Sequence, residues 1–205
     1  MFTDNLAHEG GAIWVDQATI TSHTVNVRNN IADYSIVYLL ESTTSWSSAT
    51  FSSNVGSLCA IESTITLIDV DMSEMQPTRQ RRILEPEEGG AITAFHSEII
   101  FKGNSTLNHN LAHTGGAIHA TESKVYVHGN ITVANNRATQ TGGGVYLYQS
   151  ELTCQIKSRV TVKVVGNDAI EKGGGVHAVG SSIKVKGSHV KIIKHSSLQF
   201  MSNKS

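Results

Sequence analysis

The chain has 205 residues, a formal net charge of −1 and only 16% charged residues. Near-neutrality excludes broad electrostatic attraction to nucleic acid or an anionic membrane, and no apolar run of about 18 residues is present to cross a bilayer as a helix. The two cysteines are too few for a disulfide framework, and Met1–Ile13 lacks the basic-then-apolar order of a signal peptide.

From the N-terminus onward a nine-residue box recurs. It reads "GGAIWVDQA" at Gly10, "GGAITAFHS" at Gly89, "GGAIHATES" at Gly115, "GGGVYLYQS" at Gly142 and "GGGVHAVGS" at Gly173. Degenerate copies begin at Tyr34 and Val55 and finish in Glu-Ser. A second column, a bulky apolar residue three places before an asparagine, runs through Phe2/Asn5, Val27/Asn30, Phe51/Asn54, Leu107/Asn110, Val133/Asn136, Val164/Asn167 and Phe200/Asn203. The box at Gly89 alone lacks this lead-in. A polar insert over about 71–88 takes its place, carrying the basic run Arg79–Arg82, read as a solvated loop rather than a processing site.

Within each box, positions four and six are apolar (Ile13 and Val15, Ile92 and Ala94, Ile118 and Ala120), which marks one buried strand face. After the box comes a second alternation, such as Ile65 and Leu67 or Val125 and Val127. A turn and a third short strand follow, as at Ile131 to Val133. Three strands and three turns in about 26 residues make one coil of a parallel β-helix, and coils stack at roughly 4.8 Å. The spacing predicts an all-β, right-handed, single-stranded parallel β-helix of about seven coils, one repeat region over residues 1–205. Glycines at positions one and two permit a sharp turn, a small residue at position three lets coils approach, and the asparagines tolerate the left-handed region while their amides stack.

The tetrapeptide Gly-Gly-Ala-Ile at Gly10, Gly89 and Gly115 occurs in phase with Phe2-Thr3-Asp4-Asn5, Phe51-Ser52-Ser53-Asn54 and Phe200-Met201-Ser202-Asn203. In these motifs the chain resembles the polymorphic outer-membrane proteins of chlamydiae and similar right-handed β-helix surface proteins of other organisms. The resemblance covers nearly the whole chain. It implies an extracellular or surface-displayed passenger used in adhesion, with a protein or glycan ligand at a cell surface. The chain departs from that family in showing neither a membrane barrel nor an export signal, and it reads as a piece of a longer solenoid.

Positions five and seven of the box point outward. Position five carries Trp14, Tyr38, Cys59, Thr93, His119, Tyr146 and His177, and position seven includes Tyr148. Trp14, Tyr38, His119, Tyr146, Tyr148 and His177 form a candidate exposed ladder for a protein or a sugar. The rival class is a polysaccharide lyase or glycoside hydrolase of the β-helix type with its catalytic coils elsewhere. Such enzymes need converging acids, calcium ligands or a basic residue, whereas across positions three, five and seven only Asp16 is acidic and none is basic. No catalytic residue, cofactor or metal is assigned: of the ten histidines only His109 and His113 stand at a His-x-x-x-His spacing, a lone pair in a chain that reads as strands rather than the helix such a pair needs. Glu98, Lys124 and Glu151 fall at one register place and predict an alternating-charge ladder. Sequons at Asn104, Asn130 and Asn203 are glycosylation candidates. Cys154 points inward and Cys59 outward, about three coils apart, too far for a disulfide.

Overall fold

The computed structural model describes residues 1–77, 89–155, 161–186 and the strand Gln199–Met201. Every strand pairing among them is parallel and joins one coil to the next, so the molecule is a parallel β-helix. The box sheet runs from Leu6–Ala7 and Ile13–Asp16 to Val176–Val179 and Gln199–Met201. A second sheet of seven strands runs from Thr19–His23 to Ser182–Lys186, and a third of seven from Phe2–Thr3 to Val162–Val165. Position four of the box forms one file: Ile13 pairs with Val37, then Leu58, Ile92, Ile118, Val145 and Val176 in register. From Val37 onward this file is buried, and it is the spine of the core.

A fourth, three-stranded sheet (Leu111–Thr114, Arg137–Thr141 and Asp168–Ala169) was not expected from three strands per coil. It exists where the box opens on glycine. Gly115, Gly142 and Gly173 have φ of 61°, 67° and 63°, and this left-handed kink separates the short strand from the box strand. Where Tyr34 and Val55 hold that place, position one is not left-handed, and single strands Ile31–Leu40 and Val55–Ile61 run through, the second across Gly56 at φ 119°.

Two hydrogen-bond ladders fix the other corners. Each box ends with a left-handed residue at position eight, φ between 46° and 50° at Gln17, Glu41, Glu62, His96, Glu122 and Gln149. The serine that follows is turned inward. Its hydroxyl donates to the carbonyl two residues back and accepts the N–H of the residue at the same place one coil before, Ala18 for Ser42 and a serine thereafter, through Ser42, Ser63, Ser97, Ser123, Ser150 and Ser181. The asparagine column does bond along the axis: Asn5 Nδ2 donates to Asn30, Asn30 to Asn54, Asn110 to Asn136 and Asn136 to Asn167, all at 2.8–3.0 Å. The left-handed conformation falls on the residue before each asparagine (Asp4, Asn29, Ser53, His109, Asn135, Gly166), because only an asparagine beyond that kink turns its amide into the stack.

The box at Gly89 has a lead-in after all. Asp71–Ser73 pairs with Thr50–Ser52 and with Asn104–Asn108, so the insert begins later than residue 71. Met72 takes the bulky position, and Met75 takes the asparagine position, its sulfur 3.4 Å from Asn54 Nδ2 and its N–H donating to Asn110 Oδ1. Residues 78–88, with Arg79–Arg82, lie outside the described residues. At the other end, Phe200 does not repeat the lead-in column. Gln199–Met201 pairs with the box strand, placing Phe200 in register with Ala178, and Asn203 lies outside the described residues.

Candidate recognition face

Alternation along a strand sends box positions five and seven away from the core, and all six ladder residues lie on this outer face. It brings Tyr38 beside Trp14, then His119, Tyr146 and His177 on successive coils. The rings of Trp14 and Tyr38 sit 4.8 Å apart and tilted by 31°, those of His119 and Tyr146 4.9 Å apart, and Tyr146 meets His177 edge-on at 5.5 Å. Exposure along the column is uneven. Trp14 is 51% and Tyr148 39% exposed, while Tyr38 and Tyr146 are half-buried. Thr93, His119 and His177 are buried, which corrects the expectation of a uniformly open ladder.

At His119 and His177 the glycine kink contributes, although Gly10 has the same kink and leaves Trp14 exposed. There it folds the segment ahead of the box back against position five. A Cβ on Gly115 would lie 2.2 Å from the Ile118 carbonyl oxygen, and one on Gly173 2.8 Å from His177 Cβ. In the Gly115 coil this brings Thr114 Oγ1 to 2.7 Å from His119 Nδ1, while Thr121 Oγ1 lies 3.1 Å from Nε2. Each hydroxyl can donate or accept, so a neutral imidazole satisfies both. Burial pushes the His119 pKa down to about 4. In the last coil the place of Thr114 belongs to Lys172, which offers no acceptor. Both ring nitrogens of His177 are buried without a hydrogen-bond partner among the described residues. Its pKa is lowered by burial and then by the Lys172 charge.

Outside the kink the face opens. At position seven Leu40, Ile61, Phe95, Thr121 and Val179 are half-buried and Tyr148 is exposed, giving a flat apolar strip along the axis. The column at position eight beside it is polar and exposed, with Gln17 Nε2 donating to Glu41 at 3.2 Å and His96 Nδ1 3.5 Å from Glu122.

On the second sheet, Glu98, Lys124 and Glu151 are in register as expected. The close ion pair is a different one: Glu151 accepts from Lys184 Nζ at 2.7 Å, one coil on and two residues along. Lys184 and Thr153 together hold the Glu151 carboxyl below its usual range. Asn104 and Asn130 occupy one register place. Asn130 Nδ2 donates to Asn104 Oδ1 at 2.7 Å, so the nitrogen a glycan would take at Asn130 is already engaged, whereas Asn104 is exposed. Cys154 is buried on the inner face and Cys59 half-buried on the outer one. Among the described residues no three of His, Cys, Asp or Glu converge in a metal-binding group, and no helix is long and apolar enough to cross a membrane.

The stretch Glu98 to Thr121 contains one second-sheet strand, one third-sheet strand, the Asn110 turn, the fourth-sheet strand Leu111–Thr114, the glycine kink and the box strand, which is about one coil. That coil matches the Chlamydia polymorphic membrane protein repeat. The other described coils stack on it in register, so this repeat sits within a continuous parallel β-helix. No curated protein and no solved structure matches the chain.

Proposed function

We propose that this chain is a non-catalytic repeat scaffold displayed at a cell surface, which recognises a protein or glycan ligand through the outer face of its box sheet. The observation that carries the reading is the strip itself: Trp14, Tyr38, Leu40, Ile61, Phe95 and Tyr148 leave apolar surface open on neighbouring coils of one flat sheet. Flat aromatic and aliphatic surface of this kind favours contact with a partner over solvent. The polymorphic-membrane-protein repeat supports the surface location. The scarcity of acids on the same face, with Asp16 alone at positions three, five and seven, supports recognition over polysaccharide cleavage.

The test is binding of the purified chain to whole cells and to glycan and protein arrays, run beside a polysaccharide depolymerisation assay. Trp14→Ala combined with Tyr148→Ala is expected to weaken binding about tenfold or more, equivalent to about 1.4 kcal/mol, with an unchanged thermal midpoint. Depolymerisation by the parent chain, or full binding by the double variant, overturns the reading.

A further inference from the structure

The outer face of the box sheet carries a charge pattern that narrows its partner, an inference that rests on the recognition reading proposed above. Position seven in the boxes from Tyr34 to Gly142 stacks Leu40, Ile61, Phe95, Thr121 and Tyr148 in one register file. Each of these coils has a described coil on either side, so the file belongs to the body of the solenoid. Position eight runs beside it. The N–H groups of Glu41, Glu62, His96 and Glu122 each donate to the position-seven carbonyl of the next coil, which holds this second column in register. All four residues are left-handed and exposed.

The fixed charge on this face has one sign. Positions five, seven and eight of the seven boxes hold four acids, Asp16, Glu41, Glu62 and Glu122, and no lysine or arginine. Among the described residues Glu41, Glu62 and Glu122 lie within ion-pair distance of no lysine or arginine. The hydrogen bond that Glu41 accepts comes from the neutral amide of Gln17. An apolar file about 19 Å long therefore runs beside a row of uncancelled carboxylates.

The backbone of an occupant is constrained as well. Every strand of the file is paired on both sides, so the face offers no open edge to an incoming strand. A segment lying on it must satisfy its own N–H and C=O groups, as an α-helix does. The helix pitch of about 5.4 Å is close to the coil spacing of about 4.8 Å. A helix lying along the solenoid axis sets one turn on each coil and drifts by only about 2 Å over four coils.

We propose that this strip receives an amphipathic α-helix of a partner protein, about 14 residues long. Its apolar side chains, at i, i+3, i+4 and i+7, lie over Leu40, Ile61 and Phe95, and its lysines or arginines face Glu41, Glu62 and Glu122. The carboxylate row selects a basic helix against an acidic one and steers its approach.

Fluorescence anisotropy of the purified chain with three labelled peptides of about 14 residues tests this. One carries leucines at helical spacing flanked by lysines, the second has glutamates in place of the lysines, and the third scrambles the first. The chain is expected to bind the lysine peptide about tenfold or more tightly than either of the others, and to release it at about 1 M salt, where the screening length is about 3 Å. Glu41→Lys with Glu62→Lys is expected to invert the preference, taking the glutamate peptide over the lysine one, with circular dichroism and thermal midpoint like the parent's. Equal binding of all three peptides, binding indifferent to salt, or a variant that keeps the parent's preference overturns the proposal. A parent chain that binds cells or arrays but not the lysine peptide overturns this inference alone and leaves recognition by the face standing; one that binds none of them overturns both.

Discussion

Asn110 is joined to Asn136 twice: its N–H and its Nδ2 both donate to Asn136 Oδ1, at 3.0 and 2.9 Å, while Asn136 Nδ2 donates back to the Leu107 carbonyl at 3.0 Å. Both amides are buried. Asn136→Ala strips two donors of their acceptor and leaves a carbonyl unpaired. A buried polar group without a partner costs about 1–3 kcal/mol, so a loss of about 3 kcal/mol or more is expected in chemical denaturation. An equal cost for the exposed Asn135→Ala would show that the ladder contributes nothing special.

Gly116 and Gly180 separate two reasons for glycine. A Cβ on Gly116 would lie 2.1 Å from the Gly143 carbonyl oxygen of the next coil, where only backbone can give way. Gly180 has φ of +56°, but its Cβ would meet nothing nearer than 3.6 Å. Gly180→Ala is expected to cost about 1–2 kcal/mol, the left-handed penalty alone. Gly116→Ala should cost more than that, with overpacking adding about 1–3 kcal/mol. Thermal midpoints of the two variants measure the difference.

His119 makes stability depend on pH. Its folded pKa of about 4 lies below the unfolded value of 6.5, so the unfolded chain takes up the proton first. The stabilisation from keeping this ring neutral is complete above pH 6.5 and fades as the pH falls from there toward 4. The full difference amounts to about 3 kcal/mol. His119→Gln should flatten this part of the stability profile while carboxylates titrate as before. A profile identical to that of the parent between pH 6.5 and 4 would refute the assignment.

Lys172→Thr should repair the last coil. A hydroxyl there stands to His177 as Thr114 stands to His119, and the substitution also removes a neighbouring positive charge. One new hydrogen bond to a buried ring nitrogen is expected to add about 1 kcal/mol. The His177 pKa, followed by NMR, should rise as the Lys172 repulsion is lost.

The register of the solenoid was legible because position four repeats without exception: Ile13, Val37, Leu58, Ile92, Ile118, Val145 and Val176 are all apolar and all in one file. Met75 was not legible, because sulfur and amide look unlike in sequence and become equivalent only when a neighbour's Nδ2 points at both. The strand Thr43–Ser47 hid Trp46, fully buried and 5.5 Å from Phe51, among hydroxyl residues that raise no apolar alternation. The final serine of the box was visible, but its role needs the corner in three dimensions: the preceding left-handed residue is what turns the hydroxyl inward. Outer-face exposure was misread at His119 and His177 for a similar reason. Alternation gives the side of the sheet a residue is on, but not whether a neighbouring segment covers that side.

The methionine at the asparagine position has a mechanical meaning. Under tension along the axis every joint between coils is loaded in series, and each joint resists with its sheets, its serine hydroxyl and its amide. At Met75 the thioether accepts weakly from Asn54 and has no side-chain proton to pass to Asn110. The stack therefore has a built-in weak link close to its middle, and force would part it there while the coils on either side stay wound.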